Sequence, residues 1–134
     1  QVFYYVGRTG DNSSPNAASP FGRMSAHFSK NRHGNALLRN LRKEGIDPAT
    51  AHYELRTYGP IFSEQSTFEK HKPLRDLMAS VEESIAQKLK SADFKVIGEH
   101  HPSRNKDHKS EVIVRRALKN LLTPEEIRIV EDSK

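Results

Sequence analysis

At 134 residues the chain has the length of a single domain with room for a modest core. Hydrophobic residues make up 34% and charged residues 29%, and no apolar run approaches the roughly eighteen residues of a membrane span. Cysteine is absent, which excludes disulfides and thiolate metal sites and fits a reducing, cytoplasmic setting, while a formal charge of +5 favours a polyanionic partner such as nucleic acid.

In chain order, Val2, Tyr4 and Val6 alternate with Phe3, Tyr5 and Gly7, the period of a half-buried strand that stops at the turn residues Thr9-Gly10-Asp11. Residues 11–20 read as a polar loop, and Ser19-Pro20 as a helix start. On that helix Arg23 and His27 are four apart and share a face. After a break at 31–34, Asn35 caps a second helix with the apolar stripe Leu37, Leu38, Leu41, closed by Gly45; Arg39, Arg42 and Lys43 face away from the stripe. Alternation over 51–57 predicts a second strand antiparallel to the first, closed by Tyr58-Gly59-Pro60.

A long helix is expected from about Phe68 to Lys90, with Leu74, Leu77, Met78, Val81, Ile85 and Leu89 at helical period and Pro73 kinking or separating its first turn. Residues 92–98 read as a short strand, and 100–104 as a polar loop. The pair His100-His101 is set aside as a metal site, because sequence neighbours rarely point the same way and no third spaced ligand accompanies them. Residues 112–122 predict another helix, and Thr123-Pro124-Glu125-Glu126 a capping box for a short last one.

Tyr5-Val6-Gly7, then Arg23-x-x-x-His27, then Asn35-Ala36-Leu37-Leu38, then a helix bearing Glu82 together resemble the second half of the GIY-YIG nuclease signature, over roughly residues 3–89. The resemblance implies an α+β fold, a small antiparallel β-sheet flanked by helices, occupying residues 1–98, with 99–134 as a C-terminal loop and helical extension. It also implies a Gly-x-Tyr strand, which does not occur in this sequence and is expected upstream of Gln1.

The activity implied by the resemblance is metal-dependent hydrolysis of DNA phosphodiester bonds. Tyr5 would be general base, Arg23 would stabilise the transition state, His27 would take the phenol proton or position water, and Glu82 would hold a single Mg²⁺ or Mn²⁺. A phenol of ordinary pKa about 10 needs nearby cations for that role. Arg8, Asn35, Arg39, Arg42 and Arg104 are the candidate DNA contacts. Helix geometry separately distinguishes Glu82 from Glu83. At about 100° per residue, Glu82 falls roughly 60° and Glu83 roughly 160° from the centre of the apolar stripe, so Glu82 is the carboxylate that reaches the domain. Taken singly, each residue is more commonly a core aromatic, a solvated charge or a packing histidine. The alternative function is a catalytically inactive nucleic-acid-binding module on the same fold.

Overall fold

Thr67 begins the longest element: its side chain accepts from Lys70 N at 3.3 Å and caps helix α2, Phe68–Ser91. The computed structural model describes residues 1–8, 36–63, 65–98, 100 and 108–133. Before α2 lies α1, Ala36–Lys43; after it come α3, His108–Leu121, and α4, Pro124–Asp132. Pro73 is inside α2, which runs through it without interruption. α1 ends as its glycine dictates. Gly45 takes φ +75°, and the bonds Gly45 N to Arg42 O (3.0 Å) and Ile46 N to Leu41 O (2.9 Å) close a Schellman turn. Asp93, at φ 65°, plays the same part after α2, with Phe94 N donating to Leu89 O at 3.0 Å.

The expected α+β architecture is overturned: the described residues are all-α, with four helices and essentially no strand. The tyrosine segment and the 92–98 segment do meet, but through one isolated parallel bridge, Tyr4 to Val96. Tyr4 N donates to Lys95 O (2.8 Å) and Ile97 N to Tyr4 O (2.9 Å). The predicted antiparallel strand over 51–57 is non-helical chain outside any ladder. Its alternation does not divide inside from outside, since Tyr53 and Leu55 are both exposed, as is the following Tyr58. Side-chain bonds hold the segment instead: Tyr53 OH to Pro48 O (2.7 Å), Arg56 Nε to Glu54 Oε1 (2.7 Å) and, across the chain, Arg56 Nη1 to Glu126 Oε1 (2.6 Å). An alternating sequence specifies extended backbone; a strand also needs a partner edge and a face to bury.

Two apolar clusters flank the N-terminal segment. One joins Val81, Ile85 and Leu89 of α2 to Val114, Ala117 and Leu118 of α3, with Tyr4 and Val6 packed against it. The second joins Leu37 and Leu41 of α1 to Ile97, with Phe3 and Tyr5 packed on it. Successive residues of extended chain point to opposite sides, so 4 and 6 go to α2 and α3 while 3 and 5 go to α1. The helices beyond residue 98 therefore share a core with α2.

Candidate functional site

The alternation that sends Tyr4 and Val6 toward α2 sends Arg8 the same way. Its Nη1 lies 2.7 Å from Glu82 Oε2, with the two side chains 25% and 16% exposed. Glu82 sits beside the buried Val81 and one turn before Ala86, so the helix that builds the core also fixes the carboxylate at the core's margin. The other carboxylate oxygen, Oε1, is 3.8 Å from His100 Nδ1. His100 is tied to the same helix, because Gln87 Nε2 donates to its carbonyl at 3.1 Å. Its side chain is only 5% exposed.

Tyr5 approaches this group from the other side of the segment, and Gly98 is where they meet. A methyl group on Gly98 would lie 3.4 Å from His100 Nε2 and 3.6 Å from both Asn40 Nδ2 and Tyr5 Cε2. Gly98 also takes φ +106°, a conformation that residues with a side chain rarely adopt. The absent side chain thus leaves a gap bordered by an amide, a phenol ring and an imidazole, with the Arg8–Glu82 pair beyond the imidazole. Arg8 Nε is buried and has no hydrogen-bond partner among the described residues.

Of the residues singled out in the sequence, Tyr5, Arg8 and Glu82 belong to this one neighbourhood. Arg8 contacts the carboxylate rather than standing free for phosphate. Arg39 and Arg42 are exposed on α1, whose Asn40 turns to Gly98. Arg23, His27, Asn35 and Arg104 lie outside the described residues, as does the helix expected to begin at Ser19-Pro20. Sequence reasoning passed over His100 and Asn40. His100 stands 3.8 Å from the Glu82 carboxylate, and Gly98 two residues earlier is the sequence signal of that tight approach.

Tyr4, although next to Tyr5, has a different chemistry. Its hydroxyl donates to Glu126, and burial, followed by that bond and the carboxylate charge, pushes its pKa up to about 12. It keeps its proton and is no candidate base.

Among the described residues no group of three or more His, Cys, Asp or Glu side chains gathers to hold an ion. Glu82 Oε1 and His100 Nδ1, a carboxylate oxygen and an imidazole nitrogen, stand 3.8 Å apart, and Arg8 holds the other Glu82 oxygen. No protein-family model matches the chain, and no curated protein or solved structure matches it either.

Proposed function

We propose that this protein is a divalent-metal-dependent DNA endonuclease. The observation that supports it best is the convergence of the Arg8–Glu82–His100 group with the Tyr5 ring around Gly98, drawn from three separate stretches of chain. In this reading Tyr5 accepts a proton from the attacking water, and the new phosphorus–oxygen bond forms as the bond to the 3′ oxygen breaks. Arg23 offers a planar fork of donors to the phosphoryl oxygens as negative charge builds on them. His27 takes the proton from the phenol or holds the water. Glu82, oriented by Arg8 at Oε2, would hold Mg²⁺ or Mn²⁺ through Oε1, the oxygen beside which His100 stands. When bound, the cation polarises the phosphoryl group and steadies the leaving oxygen.

A second reading, a DNA-binding module without catalysis, draws on the Arg8–Glu82 pair itself, since a guanidinium 2.7 Å from a carboxylate also describes a purely structural contact. One experiment separates the two. Single-turnover nicking of duplex DNA in Mg²⁺ or Mn²⁺ should stop in chelator. Glu82→Ala should lose cleavage by at least about a hundredfold, as loss of a transition-state group typically does, while retaining DNA binding. Glu83→Ala should cut at close to the wild-type rate. Binding without cleavage by the wild-type chain in either metal would favour the silent module.

A further inference from the structure

The register of the N-terminal segment decides whether Arg8 meets Glu82 at all. Side chains alternate with period two, so a slip of one residue would turn Arg8 toward α1 and leave Glu82 without it. Backbone pairing supplies little to prevent that slip: the segment has one bridge, made at Tyr4.

Tyr4 is also held through its side chain. Its ring packs edge-on against Phe94 with centroids 5.1 Å apart, and its hydroxyl donates to Glu126 Oε2. Glu126 is well fixed for an acceptor. Its other oxygen, Oε1, accepts from Thr123 N at 2.8 Å and from Arg56 Nη1 at 2.6 Å. The same Arg56 nitrogen donates to Leu121 O at 3.2 Å, tying the guanidinium to the turn between α3 and α4.

A capping box needs only the bond to the Thr123 amide. A carboxylate 9% exposed costs more than such a cap warrants unless its remaining lone pairs are satisfied, and here Tyr4 and Arg56 satisfy them. Tyr4 and Arg8 are four residues apart on the same face, roughly 13 Å of extended chain. Val6, between them, packs on the α2–α3 cluster.

We propose that Tyr4 and Glu126 are positioning residues: their bond locks the register of residues 1–8 so that Arg8 reaches Glu82 and Tyr5 reaches Gly98. The effect on cleavage rests on the nuclease reading; the effect on the Arg8–Glu82 pair does not. α4 then serves the site from a distance, through its first turn.

The test uses Tyr4→Phe, which removes one hydroxyl and keeps the ring, with Glu126→Gln as a second variant. A double-mutant cycle across Arg8→Ala and Glu82→Ala, read by urea unfolding, should show coupling of at least about fivefold in the unfolding constant for the wild type. In the Tyr4→Phe background that coupling should fall close to one. Single-turnover cleavage at saturating DNA should slow about tenfold in Tyr4→Phe, the size of one lost hydrogen bond to a charged group, with unchanged DNA affinity. Ile85→Val, which loosens the core without touching the lock, should leave the coupling and the rate alone. Coupling that persists in Tyr4→Phe, or is absent from the wild type, overturns the proposal, as does a lost coupling with a normal cleavage rate. A wild-type protein that does not cut would refute the nuclease reading alone, and the coupling would still decide the lock.

Discussion

Gly98 sets the closest limit on what the site can tolerate. Three glycines in the described chain take a positive φ, Gly45, Gly59 and Gly98, and the first and last of them differ most in their surroundings. Gly45, at φ +75°, has nothing within 4 Å of where a Cβ would stand. Gly98, at φ +106°, has His100, Asn40 and Tyr5 around that point. Alanine at either position should cost about 1–2 kcal/mol in backbone strain. At Gly98 the new methyl would also stand in van der Waals contact with the imidazole and the phenol ring, both of which belong to the proposed site, so any backbone shift that relieves the strain is passed on to them. Gly98→Ala should therefore slow cleavage by about tenfold or more, since small misplacements of a reacting group are costly. Gly45→Ala should unfold at similarly lower urea but cut normally. Equal cleavage by the two variants would remove Gly98 and its neighbours from the site.

At the scale of elements, α4 carries the clearest pH signature. Burial alone would raise the Glu126 carboxyl, but the hydrogen bonds from Tyr4, Thr123 and Arg56 outweigh it and lower the pKa from 4.5 to about 2. A depressed carboxyl contributes stability above its unfolded value and loses it as pH falls through the folded value. The contribution, roughly 3 kcal/mol for a shift of this size, should disappear between about pH 4.5 and about pH 2. Tyr4 works in the opposite direction: its raised pKa contributes stability that is lost as pH climbs from 10 to about 12. Urea unfolding at about pH 6 and about pH 2 should show Glu126→Gln losing less on acidification than the wild type. An identical acid dependence would mean the carboxylate is not held as described.

The elements that follow from local chemistry could be read from the sequence alone. Thr123-x-x-Glu126 is a capping box in the structure, with both reciprocal bonds formed, and Gly45 ends α1. The stripe through Val81, Ile85 and Leu89 marks the buried face of α2. What sequence could not supply was pairing over distance. Tyr53 and Leu55 alternate like strand residues, yet nothing in the pattern says whether an edge awaits them. Glu126 reads as an N3 cap residue, and its bond to Tyr4, 122 positions away, has no local signature. Arg8 and Glu82 both stand out in the sequence as candidate polar residues, but their contact depends on the register of a segment that one bridge and, in our proposal, one phenol hold.

For the whole molecule, charge is the property that connects fold to partner. Among the described residues, two helices outside the long one each present several exposed basic side chains: Arg39, Arg42 and Lys43 on α1, and Lys109, Arg115, Arg116 and Lys119 on α3. No helix among the described residues is long and apolar enough to cross a membrane. The two basic faces differ in their relation to the site. α1 turns Asn40 to Gly98, so the helix that bears Arg39 and Arg42 borders the site, with Arg39 about 100° and Arg42 about 160° around it from Asn40. α3 packs its apolar face on α2 through Val114, Ala117 and Leu118, and its arginines point away from that contact. DNA reaching the gap at Gly98 would pass α1, and in the nuclease reading it wraps onto the exposed α1 arginines and not those of α3. Each neutralised phosphate adds about 0.9 to the slope of log affinity against log salt. Arg39→Ala with Arg42→Ala should reduce that slope by about two, and Arg115→Ala with Arg116→Ala should leave it near the wild-type value. Fluorescence titrations of a labelled duplex over a series of salt concentrations measure both. The reverse order would place the DNA on α3, away from Tyr5 and Glu82, and the proposed active site could not then be where cleavage occurs. A wild-type affinity that ignores salt would replace nucleic acid with a protein partner.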